Sequence, residues 1–326
     1  MKTLINTLVA TTSAAALTAC ALADTAETTV PAAYTVERET FTSAGETLVG
    51  NLYIPAGVGR GNPAEAVVVT GAWTTVKEHM PATYAVEMAE RGQIALAFDF
   101  RTWGESGGAT RSLENPEMKI EDILAASEFL STRADVSAIN GLGICASAGY
   151  MVTAAERSPL LQSVALVAPW LHNAEIVDAV YGGAESVAGL IEAGRAATAR
   201  EAETGEPQLI PASGPAGSDA LMPGVPYYTE EGLGLIPEWE NTFNLASWEG
   251  WLTFDAIRAA PSINQPMLIV HSEDAAIPQG AREFYAGLTG SKEQVWLDGV
   301  TQFDFYHQPA PVELASDAAA NFFKSN

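Results

Sequence analysis

Short apolar runs of strand length alternate with amphipathic segments of helix length along most of this chain. That rhythm restricts the fold more than any other feature. Ala66–Thr70 (A-V-V-V-T), Ile94–Phe98, Ile139–Gly143 and Ser163–Val167 read as buried strands. Between them Ala82–Arg91, Lys119–Thr132 and Ser147–Glu156 read as helices, the second with Ile120, Ile123, Leu124 and Leu130 on one face. Tyr34–Thr42 and Glu46–Tyr53 alternate apolar and polar residues, as an edge hairpin does. The rhythm breaks after the sixth strand. Residues 170–262 carry two helical stretches, Ala174–Val180 and Ala184–Arg200, then a Gly/Pro-rich segment, Gly205–Pro226, and a Trp-rich stretch. It resumes with strand Pro266–His271, helix Gln279–Leu288, strand Gln294–Leu297 and C-terminal helix Val312–Phe323. The expected architecture is α/β: a mostly parallel eight-stranded sheet with helices on both faces. Residues 33–169 and 263–326 form its core, and 170–262 are a lid insertion.

The chain has 326 residues, 48% of them hydrophobic and 17% charged, a globular profile with enough apolar surface for one large core. Forty acidic against 16 basic side chains give a net charge of −24. Such a surface repels phosphate backbones, so no nucleic-acid partner is expected. Residues 4–19 are apolar or small, follow Lys2, and lead to Ala21-Leu22-Ala23, a small-x-small cleavage site. Residues 1–23 are therefore expected to be a signal peptide, 24–32 a disordered lead-in, and the mature protein periplasmic or secreted from Asp24 onward. Leu17-Thr18-Ala19-Cys20 also resembles a lipobox, so the competing expectation is a lipoprotein anchored at Cys20. No later stretch reaches about 18 unbroken apolar residues, and no membrane span is expected. With cleavage after Ala23, Cys145 is the sole cysteine of the mature chain. It is then either a buried, inert residue or a functional thiol.

The segment Gly141-Leu142-Gly143-Ile144-Cys145-Ala146-Ser147-Ala148-Gly149-Tyr150 runs from a strand straight into a helix through small residues. A nucleophile elbow places its reactive side chain on a strained turn, so the residues two positions away must be small. Gly143 and Ser147 meet that demand around Cys145. The N–H of Ala146 would then point at a developing oxyanion, and the helix N-terminus would favour the thiolate. A second reading centres the elbow on Ser147 (C-x-S-x-G), two residues into the helix; Cys145 is preferred because it falls where the strand ends.

G-I-C-A-S-A-G-Y resembles the elbow of dienelactone-hydrolase-like α/β hydrolases, in a bacterial branch with G-I-C-A-S-G-G-Y. Val76-Lys77-Glu78 resembles that branch's V-K-E. Residues 98–108, F-D-F-R-T-W-G-E-S-G-G, resemble the D-x-R-x-x-G-x-S-x-G loop common across α/β hydrolases. Residues 299–306, G-V-T-Q-F-D-F-Y, resemble G-x-x-H-x-D-x-Y. The resemblance implies an α/β-hydrolase fold acting on an ester, lactone or thioester bond of a small acyl substrate, without cofactor or metal.

It also implies a set of site residues. The loop Gly71-Ala72-Trp73-Thr74-Thr75 would supply the second oxyanion N–H, from Ala72 or Trp73. Asp274, four residues before Pro278, fits the place of the triad acid. The base is missing: Gln302 stands at the usual His position, and an amide cannot accept and return a proton near neutral pH. Candidate substitutes are His307, five residues further on, and Glu78, since dienelactone hydrolases use a Glu near the cysteine. The other three histidines are His79, His172 and His271. Trp170, His172, Trp248 and Trp251 are expected to line the substrate pocket, and aromatic walls suit a hydrophobic or cyclic acyl group. A hydrolase-fold protein that binds a ligand without hydrolysing it is the alternative, and Gln302 is the feature that favours it.

Overall fold

The structure, a computed structural model, describes residues 33–326. The expected signal peptide, lead-in and lipobox lie outside the described residues.

Eight strands form one sheet: β1 (Tyr34–Ser43), β2 (Glu46–Pro55), β3 (Ala64–Thr70), β4 (Ile94–Phe98), β5 (Val136–Ile144), β6 (Leu161–Val167), β11 (Met267–Ser272) and β12 (Lys292–Leu297). Their order is β1-β2-β4-β3-β5-β6-β11-β12. β1 and β2 pair antiparallel, β2 joins β4 antiparallel, and every other pairing is parallel. β4 is buried along its whole length and β3 over its last five residues, which is why both read as unbroken apolar runs rather than alternations.

Helices cover both faces. On one, α1 (Met80–Glu90) packs with α10 (Pro309–Ser325); on the other, α2 (Pro116–Ser131) packs with α3 (Ser147–Arg157). α2 starts three residues before the apolar periodicity suggests. The Asn115 side chain accepts the Met118 N–H at 3.1 Å, and Pro116 takes the first turn, where its missing N–H costs nothing.

Between β6 and β11 the chain builds a layer over the strand ends. α4 (Ala174–Val180) and α5 (Ala184–Thr204) come first. The Gly/Pro-rich stretch then folds into short ribbons: β7 (Leu209–Pro211) pairs with β10 (Thr242–Asn244), and β8 (Ser213–Gly214) with β9 (Met222–Pro223). α6 (Pro226–Thr229), α7 (Ser247–Thr253) and a 3-10 turn, Ile257–Ser262, complete the layer. α8 (Pro278–Gly287) and α9 (Asp304–His307) follow β11 and β12. The C-terminal ends of β3, β5, β6 and β11 thus open beneath the inserted layer, where ligand crevices of parallel sheets lie.

Candidate active site

Cys145 sits between β5 and α3 at φ +54°, a left-handed conformation that only a tight turn imposes on a residue with a β-carbon. The turn needs the glycine before it: a β-carbon at Gly143 would lie 2.9 Å from the Ala148 Cα and the Ser147 carbonyl oxygen. The Cys145 N–H donates to the Val167 carbonyl at 3.1 Å, and its carbonyl accepts the Trp170 N–H at 2.9 Å, tying the turn to the end of β6. Ser147 is fully buried in the first turn of α3 and is not among the residues that line the cavity above Cys145.

Above the turn lies a cavity of about 490 Å³. Its floor holds Cys145, Ala146, Ala72 and Trp73; its sides are Trp170, Tyr181, Trp248, Trp251 and Tyr228; Gln302, Phe303, Tyr306 and Ala276 close it. None of its lining residues is an acid, a lysine, an arginine or a histidine. Trp73 stacks on Trp251 with ring centroids 5.0 Å apart, and Phe243 and Trp248 pack against the same indole.

The thiol meets three hydrogen-bonding groups: the Tyr306 hydroxyl and the backbone N–H groups of Ala146 and Trp73. All three lower its pKa, but burial outweighs them and pushes the thiol up. The expected low-pKa thiol is therefore corrected: a helix N-terminus favours the thiolate, and loss of solvent disfavours it more. Between the two oxyanion candidates in the first loop, the geometry selects Trp73. The Ala72 N–H already points at the Met80 sulfur, 3.4 Å away.

That loop is held from below. Thr74, at φ +64°, donates its N–H to Glu114 Oε2 at 3.1 Å, and its carbonyl accepts the Trp239 indole N–H at 2.7 Å. Glu114 Oε1 accepts from the Lys119 ammonium at 2.7 Å and the Tyr150 hydroxyl at 2.8 Å. Lys119 is boxed by the rings of Phe100, Trp103 and Tyr150 at 4.7, 5.1 and 5.7 Å. Burial lowers its pKa, and the Glu114 carboxylate opposes that.

Gln302 occupies the place facing the elbow, and its amide is fully engaged. Nε2 donates to the Ala168 carbonyl at 2.9 Å and the Tyr306 hydroxyl at 3.0 Å; Oε1 accepts the Ala276 N–H at 3.0 Å. A carbonyl on one side and an N–H on the other fix the orientation of the amide. Asp274 is exposed, accepts the Gly299 N–H at 3.1 Å and makes no hydrogen bond to Gln302.

The remaining candidates fall elsewhere. Glu78 pairs with the buried Lys77 ammonium at 2.7 Å, and Lys77 also reaches Asp99 at 2.9 Å; Glu78 lines no part of the cavity. Burial raises the Glu78 pKa, with the Lys77 hydrogen bond opposing. The D-x-R-x-x-G-x-S loop has a structural reason of its own: the Asp99 carboxylate anchors both the Lys77 N–H at 2.8 Å and the Glu105 N–H at 3.0 Å. His307 bonds the Phe303 carbonyl and Gln308 at 2.9 Å each and stands outside the cavity. His172 lies behind the wall rather than in it. It accepts the Trp170 indole N–H at 2.9 Å and donates to the Trp251 carbonyl at 3.1 Å, bracing two aromatic sides. His79 is likewise tied, accepting from Val76 at 3.2 Å and donating to Gly234 at 2.9 Å. Burial lowers His79, His172 and His271 to about 4. Among the described residues no cluster of side chains is suited to hold a metal ion.

Sequence reasoning missed Tyr181 and Glu114; it placed Tyr228 among the aromatics of the inserted segment and Tyr306 in the G-V-T-Q-F-D-F-Y segment without giving either a role. Tyr306 was legible in part, because it follows Gln302 by one helical turn. The Tyr228 ring lines the cavity, and the Tyr181 hydroxyl accepts the Trp251 indole N–H at 2.7 Å.

No family model matches the chain. It is 28% identical to the uncharacterized protein YcjY of Escherichia coli (strain K12) over 84% of this chain and 92% of that one. It is 28% identical to PA2218 of Pseudomonas aeruginosa over 90% and 82%, and 26% identical to the thiohydrolase aneE of Aspergillus aculeatus over 80% and 84%. The PA2218 crystal structure superposes with a TM-score of 0.76 at 25% identity, over 90% of this chain and 94% of that one. The α/β hydrolase GrgF from Penicillium sp. sh18 gives 0.76 at 19% identity over 89% and 98%. A dienelactone hydrolase from Anabaena variabilis gives 0.54 at 12% over 90% and 99%. With its eight-stranded sheet, elbow and inserted layer, the chain has the α/β-hydrolase fold.

Proposed function

We propose that the protein cleaves an ester, lactone or thioester bond of an uncharged, ring-bearing acyl group through attack by Cys145. The observation that carries this reading is the convergence at the elbow. A sulfur on a left-handed turn lies at the floor of an apolar cavity, within reach of the N–H groups of Ala146 and Trp73. Two backbone donors aimed at one point are what a tetrahedral oxyanion requires, and they act without reorganisation in a water-poor site. The absence of charged groups from the lining favours a neutral acyl group, and the indole walls favour a ring. The fold's hydrolase neighbours and the name of the thiohydrolase relative support an acyl substrate, with a thioester among the candidates. The dienelactone-hydrolase-like branch is the reading of the motif that fits the elbow and the Lys77-Glu78 segment.

In this proposal Tyr306 donates a hydrogen bond to the sulfur and Gln302 holds Tyr306. Asp274 keeps the acid's place without a base to orient. The chain acts after export, with a mature N-terminus near Asp24; N-terminal mass spectrometry detecting a diacylated Cys20 instead would refute that part.

The test is intact-mass analysis after incubation with an activated aromatic thioester. An acyl adduct that maps to Cys145 and is absent from Cys145→Ala is expected. The second reading, a ligand-binding protein without chemistry, is favoured by the fully bonded Gln302. It predicts no adduct, and equal binding of a neutral aromatic ligand by the unmodified chain and Cys145→Ala.

A further inference from the structure

The cavity dictates where an acyl group on Cys145 can go. Water attacking an acyl-cysteine must lose a proton as it adds, and general-base help in such a step is worth about 10²–10⁴-fold. Gln302, in the base's place, has every polar hydrogen and its oxygen committed to Ala168, Tyr306 and Ala276. None of the four histidines lines the cavity, and no carboxylate does. Water entering here finds hydroxyl groups and indoles but no group able to take its proton.

A thiol is different. A free acceptor thiol, with an ordinary pKa near 8.5, carries a usable thiolate fraction at neutral pH and needs no base. Cys145, whose pKa burial raises, forms its thiolate at more alkaline pH, with the Tyr306 hydroxyl and the Ala146 and Trp73 N–H groups holding the charge. A thiol also leaves as a thiolate and needs no acid, whereas an alkoxide does. We propose that this protein transfers uncharged acyl groups from a thioester to a second thiol by way of Cys145, with hydrolysis as the minor outcome. The inference rests on Cys145 being the nucleophile.

The steps balance without any further reactant. Cys145, its proton released to solvent, adds to the thioester carbonyl carbon. The carbonyl pair moves onto oxygen between the Ala146 and Trp73 N–H groups. Collapse re-forms the carbonyl and breaks the bond to the donor sulfur, which leaves as a thiolate and is protonated by solvent. In the second half the acceptor thiolate adds to the same carbon and Cys145 departs as a thiolate. The Tyr306 hydroxyl and the two N–H groups then stabilise the departing sulfur. Overall one thioester and one thiol become another thioester and another thiol, with no change of oxidation state. Both half-reactions form and break C–S bonds of similar strength, so the cycle runs freely in either direction.

The experiment uses the full chain, S-benzoyl-N-acetylcysteamine as donor and 2-mercaptoethanol as acceptor, with Cys145→Ala as the background. Three quantities are read: the benzoyl adduct on Cys145 by intact mass, its lifetime in buffer, and the division of product between benzoate and S-benzoyl-mercaptoethanol. The expected result is an adduct that persists in buffer and is discharged by the thiol at least ~100-fold faster than by water, the lower bound of the missing base's contribution. An adduct that water clears as fast as the thiol does overturns the transfer proposal and leaves the cysteine nucleophile standing. No adduct, with the unmodified chain and Cys145→Ala alike, overturns both.

Discussion

Replacing Glu114 by Gln removes the counter-charge from a sealed environment. Glu114 has no exposed surface and Lys119 is 1% exposed, with 2.7 Å between Oε1 and Nζ. Removing one partner of a buried ion pair typically costs about 3–5 kcal/mol, because the other charge is left uncompensated. Burial already lowers the Lys119 pKa, so the ammonium can shed its proton, and the lower end, about 3 kcal/mol, is expected. For a domain of this size each kcal/mol shifts Tm by about 2–4 °C, so a fall of roughly 6–12 °C should follow. A second effect is separable. Glu114 Oε2 fixes the N–H of Thr74, a residue held at φ +64° next to the Trp73 donor. Loosening it should lower kcat on an activated aromatic thioester with little change in KM, by up to the ~10²–10³-fold that one lost oxyanion donor costs. The assay pairs thermal melting with steady-state rates for Glu114→Gln and for Glu114→Gln/Lys119→Met. The double variant removes the stranded charge and should regain most of the lost Tm while its rate stays low. A single variant that melts with the unmodified protein would refute the stranded-charge argument, and a double variant that recovers rate along with stability would refute the positioning role of Glu114.

Gln302→His should raise hydrolysis of an acyl group on Cys145 by about 10²–10⁴-fold, read as the lifetime of the adduct in buffer. It also gives up hydrogen bonds to Ala168 and Ala276, each worth about 1 kcal/mol, so a modest loss of Tm should accompany the gain. His79, His172 and His271 are neutral in the fold with pKa values of about 4, below the ordinary 6.5. Between those values the unfolded chain binds more protons than the native one. Stability is therefore fully present above about pH 6.5 and falls as pH drops toward 4, with an uptake of about two to three protons on unfolding near pH 5. Calorimetric Tm values that stay flat from pH 7 to pH 4.5 would contradict this. Alkylation of Cys145 by iodoacetamide should lag behind free cysteine at pH 7 and climb at more alkaline pH than for an ordinary thiol, because burial raises its pKa. Tyr228→Phe should cost about 0.5–1.5 kcal/mol in kcat/KM, several-fold, for an acyl donor bearing a ring hydroxyl and nothing for its deoxy counterpart.

The sheet was legible because its central strands are written as uninterrupted apolar runs, and Ile94–Phe98 has no other sensible reading. The elbow was legible because close packing at Gly143 leaves a sequence mark. Position 302 could be found by counting from the last strand, since the short loop before α9 fixes it. The electrostatics could not be read this way. Glu114 and Lys119 look in sequence like charges flanking an exposed helix start, and only the fold seals them beneath the loop after β3. The thiol's pKa was misjudged for a related reason: the helix end is local and visible, whereas the depth of the cavity is a property of residues about a hundred positions away. Tyr228 reads in sequence only as one of the inserted segment's aromatics, because the direction of a hydroxyl is decided by packing in that layer, where no periodicity reports it.

Four of the residues held at positive φ without being glycine belong to this one cavity's surroundings: Cys145 lines it, Thr74 and Ile277 adjoin lining residues, and the Ala168 carbonyl accepts from the Gln302 amide. Each such conformation costs about 1–2 kcal/mol relative to glycine's ease there. Attempts to make the protein more heat-resistant by relaxing these positions would therefore act on the very turns that aim the sulfur, the Trp73 N–H and the Gln302 amide. Gains in melting temperature found there should come with a blunted site. Thermostability is better sought on the exposed faces of α5 and α10, where no aimed group depends on the backbone. The rigidity around Cys145 is a tolerance specification for the site, and it sets a ceiling on how far stability can be improved before geometry is lost.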